Sequence, residues 1–209
     1  MIATNTHAAP TRADALVRTM ALLLGWLCLS FALGVSGALA AGGGPPIGIG
    51  LTIIVPLVAY WLDGRRGHPL FAGIARLDAT ALAVLQTFRV VGAVFLIAWW
   101  RGTLPAGFAL PAGIGDVLVG IAAPFVAAAL ASDKPWARRL FVVWNVVGLI
   151  DLVAAVSSGV LHASGPLGLL AGTPRTNALA LYPFSLIPTF FVPLAVILHA
   201  AGLRRSAVA

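Results

Sequence analysis

Residues 80–100 read TALAVLQTFRVVGAVFLIAWW, and residues 140–161 read LFVVWNVVGLIDLVAAVSSGVL. Each is long enough to cross a bilayer, which takes ~20 mostly apolar residues. Each carries one charge, Arg89 in the first stretch and Asp151 in the second. Arg89 stands 11 residues from both Asp78 and Trp100, about 16 Å from either end at the helical rise. Asp151 stands 12 residues from Arg139 and 11 from His162, about 17 Å from either end. A charge at that depth costs ~2.5–3.5 kcal/mol on insertion scales, so it is expected to face protein and a partner. The spacing predicts an Arg89–Asp151 ion pair between two helices that run the same way.

Four further stretches qualify as spans: Val17–Ala40, Ile47–Leu62, Pro111–Leu130 and Leu179–Leu203. The second is short and rich in Gly48, Gly50 and Pro56. Residues 163–178, moderately apolar with glycine and proline, are expected to form a re-entrant or interfacial segment, tolerated where protein or water covers the backbone. Composition agrees. Of 209 residues 60% are hydrophobic, and 23 glycines raise the share to about 71%, against ~45–50% for a soluble domain. Charged residues make up 9%. A soluble fold of this length lacks the interior to hide so much apolar surface. That excludes a water-soluble enzyme, a nucleic-acid-binding domain and a disordered chain. The expected architecture is an all-α, polytopic transmembrane bundle of about six helices, a single integral membrane domain over residues 1–209.

The net charge of +7 and pI near 11.3 then report orientation. With a cytoplasmic amino terminus, the inner side holds Arg12, Arg18, Arg65, Arg66, Arg76, Lys134, Arg138, Arg139, Arg204 and Arg205. The outer side holds Arg101 and Arg175, and Arg89 lies within a span. The positive-inside rule predicts both termini in the cytoplasm of a bacterial-type inner membrane, with lipid as partner and no nucleic acid. Trp99, Trp100, Tyr60 and Trp61 fit interfacial anchors. The run from Thr19 to Ala41 exceeds the ~7–15 residues of a signal-peptide core and reads as a retained helix. Cys28 is single, which rules out an internal disulfide or cysteine metal cluster. Lys134, the one lysine, sits in a charged loop, so a retinal Schiff base within a helix is excluded.

The other polar residues in the spans extend the pattern. Gln86 and Arg89, at i and i+3, share a face. Trp144, Gly148, Asp151, Ala155 and Ser158 form one stripe. Asp116, five residues beyond Pro111 as a first-turn proline, is expected about 8 Å from the outer end, either solvated or as an acceptor for a proton or cation. Asn145 and His199 are expected about 8–9 Å from the inner edge. Asn145 lies about 120° around its helix from Asp151 and off its face. Pro183, Pro188 and Pro193 are expected to bend the last helix, which could line a cavity or form a packed bend capped by His199. Arg89-Val90-Val91-Gly92 and Asn145-Val146-Val147-Gly148 share a register, which a duplicated helix pair would produce and which chance also yields.

Phosphate loops, nucleophile elbows and HExxH motifs are missing from the sequence. His7, His68, His162 and His199 fall at depths unsuited to bis-histidine haem, and His68 with His199 is a weak metal possibility; no cofactor or metal is expected. The leading expectation is a small transporter or permease, proton-coupled in one reading, with Arg89, Asp151, Asp116, Gln86, Asn145 and His199 along its path. The alternatives are a non-catalytic subunit or assembly partner of a larger membrane complex, with a membrane-protein partner or a second copy of the chain (homo-oligomer) beside it, and an intramembrane enzyme acting on lipid or quinone. The balance leans against an enzyme.

Overall fold

A computed structural model describes residues 11–64, 70–132 and 134–208. Among the described residues all regular structure is helical, with no strand. Six long helices follow in order: α1 (Arg12–Ser36), α2 (Ile47–Asp63), α3 (Ala79–Trp100), α4 (Ala106–Ala131), α5 (Ala137–Leu161) and α6. The last combines a π-helical stretch, Ile187–Phe191, with the α-helix Val192–Val208. Five of the six are long and apolar enough to cross a bilayer, and α2 is a shorter apolar helix. The chain is a multi-pass membrane protein.

Arg18, Arg76, Lys134, Arg138, Arg139, Arg204 and Arg205 are exposed at one end of the bundle, the cationic end; Arg101 and Arg175 are exposed at the other, the far end. His7, Arg65, Arg66 and His68 lie outside the described residues. The most enclosed helix is α6, with 67% of its most apolar window buried, against 11% for α1 at the periphery. Between them, α4 packs along α3 and α5, while α6 packs against α5, α3 and α2.

Four helix boundaries differ from the sequence expectation for a local reason. α1 starts before Val17 because Thr11 and Asp14 form a capping box, with Thr11 Oγ1 accepting the Asp14 N–H at 3.2 Å. It stops at Gly37, whose φ of 71° is a left-handed conformation suited to glycine. α4 starts at Ala106, so Pro111 lies inside the helix and not in its first turn. Pro111 has no N–H for the carbonyl of Gly107, and the hydroxyl of Ser158 on α5 donates to that carbonyl at 3.2 Å. The last span does not begin at Leu179. Thr176–Ala180 is a 3-10 turn, Leu181 is extended (φ −114°, ψ 147°), and Pro183 has no N–H to donate to the Leu179 carbonyl, so no helix runs on from Leu179.

Residues 163–178 fold across the far end of α5. Thr176 donates its N–H to His162 O at 3.1 Å and its hydroxyl to Gly159 O at 2.7 Å. The Asn177 side chain accepts the Ser164 N–H at 3.0 Å and donates to the Ser164 hydroxyl at 2.7 Å. At the cationic end the buried carboxylate of Asp63 accepts the N–H groups of Leu70 and Phe71, at 2.6 and 2.8 Å, and so anchors the turn Ala72–Ala75.

The bend in α6 follows the same logic as Pro111. Pro193 cannot donate to the carbonyl of Thr189. That carbonyl instead accepts Trp26 Nε1 at 3.0 Å and Ser30 Oγ at 3.3 Å, both from α1. Interhelical hydrogen bonds in bilayers average ~0.6 kcal/mol. The double substitution Trp26→Phe with Ser30→Ala is therefore expected to lower unfolding free energy by about 1 kcal/mol, plus a packing loss from the indole. Chemical unfolding in mixed micelles measures it. Either substitution alone should cost less than the pair, since the remaining donor still serves the carbonyl.

Candidate functional site

The site begins with how α3 winds. Its middle, Gln86–Gly92, is a 3-10 helix. With three residues per turn, side chains at i, i+3 and i+6 align along the axis. Gln86, Arg89 and Gly92 therefore lie on one line, and all three are buried. Gln86 Nε2 donates to the carbonyl of Ala195 on α6 at 3.0 Å. Arg89 turns into the space between α4, α5 and α6.

All three guanidinium nitrogens of Arg89 are engaged, in four hydrogen-bond contacts and one further ion-pair contact. Nε donates to Asp116 Oδ1 at 2.8 Å, and Nη2 reaches the same oxygen at 2.6 Å. Nη2 also donates to Asp151 Oδ2. Nη1 donates to the carbonyl of Gly148 at 3.2 Å and faces His199 Nε2 at 3.3 Å. Side-chain exposure is 1% for Arg89, 9% for Asp116 and 17% for Asp151, so the cation is the innermost member.

The cluster continues on its cationic side. His199 Nδ1 lies 2.8 Å from Asn145 Oδ1, while Asn145 Nδ2 donates to the carbonyl of Phe141 at 2.7 Å. Asn145 Oδ1 is then the acceptor, so His199 carries its proton on Nδ1. Its Nε2 is left with a lone pair facing the guanidinium, which makes the ring neutral. Trp144 meets the imidazole edge-on, with centroids 5.2 Å apart, and its own Nε1 donates to Val119 O of α4 at 3.3 Å.

Close approach depends on glycine. A β-carbon on Gly92 of α3 would come 2.7 Å from Asp116 Oδ2. One on Gly115 of α4 would collide with Asp151 Oδ1, and one on Gly148 of α5 with the His199 ring. A β-carbon on Gly202 of α6 would meet Asn145 Oδ1 at 2.9 Å. Asp116, Asp151, His199 and Asn145 thus each sit opposite a glycine of a neighbouring helix.

All six sequence candidates meet in one network or beside it, with two corrections of position. Asp116 does not lie near the outer end. It is ten residues in from Ala106, about 15 Å, level with Arg89 and bonded to it, because α4 extends past Pro111. Asn145 and His199 are not a separate group near the inner edge: His199 touches Arg89 directly and Asn145 holds its other ring nitrogen. Asn145 and Asp151 point different ways from α5 yet join one network through partners on α3 and α6. Within the stripe Trp144–Ser158 on α5, Trp144, Asp151 and Ser158 face α4, through Val119, Gly115 and Gly107, while Gly148 faces His199 of α6. Sequence reasoning missed the carbonyl of Gly148 as a ligand of Arg89 and the roles of Gly92 and Gly115.

It also missed a cavity. A space of about 300 Å³ opens at the far end between α2, α4, α5 and the residues leading into α6. Its walls include Ile49, Ile53, Phe108, Leu152, Val156 and Leu179, and Asp116 lies on its floor. A second void of about 10 Å³ lies behind, lined by Phe88, Arg89 and Asp116 among others. Asp116, Leu152, Ile187 and Val192 border both. The carboxylate therefore separates the cavity from the guanidinium. Among the described residues, no three side chains capable of holding a metal cluster together.

Removing one member of a buried ionic cluster leaves charge uncompensated and typically costs ~3–5 kcal/mol. Arg89→Gln is expected to destabilise the bundle by about that amount, and Arg89→Gln with Asp116→Asn and Asp151→Asn to recover most of it. Unfolding in mixed micelles compares the two. Nitrogen NMR of His199 should show a neutral ring protonated on Nδ1; the opposite tautomer would contradict the Asn145 contact.

No curated protein and no solved structure matches the chain. A family described as a domain of unknown function, DUF8737, matches residues 46–206. This range begins one residue before α2, reaches into the last turns of α6, and contains every member of the polar cluster. The chain belongs to the DUF8737 family.

Proposed function

We propose that this protein is a small permease-like carrier whose solute movement is coupled to a proton, centred on Arg89, Asp116 and Asp151. One observation carries the reading: a single guanidinium is shared by two carboxylates, one of which, Asp116, lies at the floor of an open cavity. One positive and two negative charges leave the cluster net negative unless a carboxyl group holds a proton. The neutral His199 supplies no compensating charge. At this depth an uncompensated charge is expensive, so proton binding to the pair is the low-energy state, and the proton can exchange with solute at the cavity floor. Intramembrane ionisable residues of this kind mark relays and substrate paths.

The carrier sits in a bacterial-type inner membrane with both termini cytoplasmic, and the cationic end faces the cytoplasm. The excess of arginine at that end supports this orientation. The cavity then opens outward. The far-end opening, with α5 and α6 closed around His199, suits one state of an alternating-access cycle.

Infrared difference spectroscopy on the lipid-reconstituted protein tests the proton. A protonated-carboxyl band should appear on acidification, shift in Asp151→Asn and vanish in Asp116→Asn with Asp151→Asn; an identical spectrum in wild type and the double variant would overturn the reading. Dye-loaded vesicles test the coupling. Internal pH should respond to an added metabolite fraction in wild-type vesicles, and Asp151→Asn, in vesicles matched for folded protein, should fall to the level of protein-free vesicles.

A further inference from the structure

We propose that the far-end cavity binds a small organic monocation with an apolar body, which takes the place of the proton at Asp116. The inference rests on the carrier reading and names its solute class. Three observations decide the class. The first is order: Asp116 lines the cavity, whereas Arg89 lines only the small void behind it. A solute arriving from the far end therefore meets the carboxylate first, and an anion would meet the wrong sign. The second is free capacity. Both Arg89 nitrogens that touch Asp116 use Oδ1, and among the described residues no hydrogen bond to Oδ2 is seen. The third is the wall. Apart from Asp116, its polar side chains are engaged elsewhere: Thr176 donates to Gly159 O, and Ser164 and Asn177 bond each other. Such a wall holds an apolar body and offers one polar anchor.

The charge count sets the valence. Arg89 faces Asp116 from α3, Asp151 from α5, and His199 stands behind Arg89 on α6. The cavity-lining residues of α2, including Ile49 and Ile53, are uncharged, and Arg175 at the far end is bonded to Ser164. With both carboxylates ionised the group lacks one positive charge, which either a proton or one monocation supplies. A dication would overfill it. A volume of about 300 Å³ lies at the lower limit of ~300–1,000 Å³ for ligand pockets and suits a molecule of one ring.

Benzyltrimethylammonium is the probe, because its charge is permanent and any proton released on binding comes from the protein. Titration calorimetry on the full chain in micelles, in two buffers of different ionisation heat, should show binding whose heat depends on the buffer. Benzyl alcohol should bind much more weakly and benzoate not at all. Asp116→Asn should lose both the binding and the buffer dependence. Ile53→Trp narrows the cavity from the α2 wall without touching Asp116, and should block the cation while leaving the infrared carboxyl band in place. Tight binding of benzoate, equal binding of benzyl alcohol, or undiminished cation binding in Asp116→Asn would each overturn the inference. If the cation fails to bind wild type while the carboxyl band still titrates, the solute class falls and the carrier reading stands. If the band is missing as well, both fall.

Discussion

A guanidinium within a bilayer must find acceptors for five N–H bonds inside the protein, because lipid offers none. The partners of Arg89 stand on three helices: Asp116 from α4, Asp151 and the Gly148 carbonyl from α5, and His199 from α6. Four helices are thereby tied at one depth by one side chain. Their mutual rotation is fixed, since turning any of them by a residue would remove an acceptor. α1 and α2 stand outside this constraint and do other work. α1 supplies donors to the bend of α6, and α2 closes one wall of the cavity.

The glycines are the steric counterpart of the charges. Two helix pairs use the same arrangement. On α3 and α4, Arg89 bonds Asp116 and Gly92 makes room for it; on α5 and α6, Asn145 bonds His199 and Gly148 makes room for it. In each pair the residue three before the glycine holds the side chain that the glycine admits. The register shared by residues 89–92 and 145–148 thus has a structural meaning, whatever its origin. One pair carries charge and the other is neutral, and Arg89 reaches His199 across them.

Membrane class, the number of long helices and the depth of Arg89 and Asp151 were legible because they depend on local quantities: length of apolar run, charge count and rise per residue. Asp116 was misplaced because its depth was measured from Pro111. A proline inside a membrane helix is tolerated where another donor serves the carbonyl it frees, and here Ser158, far away in sequence, does so. The union of Asn145, His199 and Arg89 was hidden for a similar reason. Angular separation around one helix says nothing of what a side chain from another helix can bridge. The 3-10 winding of Gln86–Gly92 also left little trace beyond the spacing of three between Gln86 and Arg89. The cavity depends on where residues 163–186 cross the bundle, a matter of tertiary packing that no periodicity records.

The sequence proximity of Arg89 and Asp116 bears on biogenesis. They are 27 residues apart, on two antiparallel helices joined by the short turn after Trp100. During synthesis α3 emerges first, and alone it would present a naked cation to lipid. Asp151 and His199 belong to later helices and cannot help at that moment. The α3–α4 hairpin is the smallest unit that can leave the translocation machinery with its arginine already neutralised, so these two helices are expected to partition into the bilayer together, as one folded piece onto which α5 and α6 then assemble.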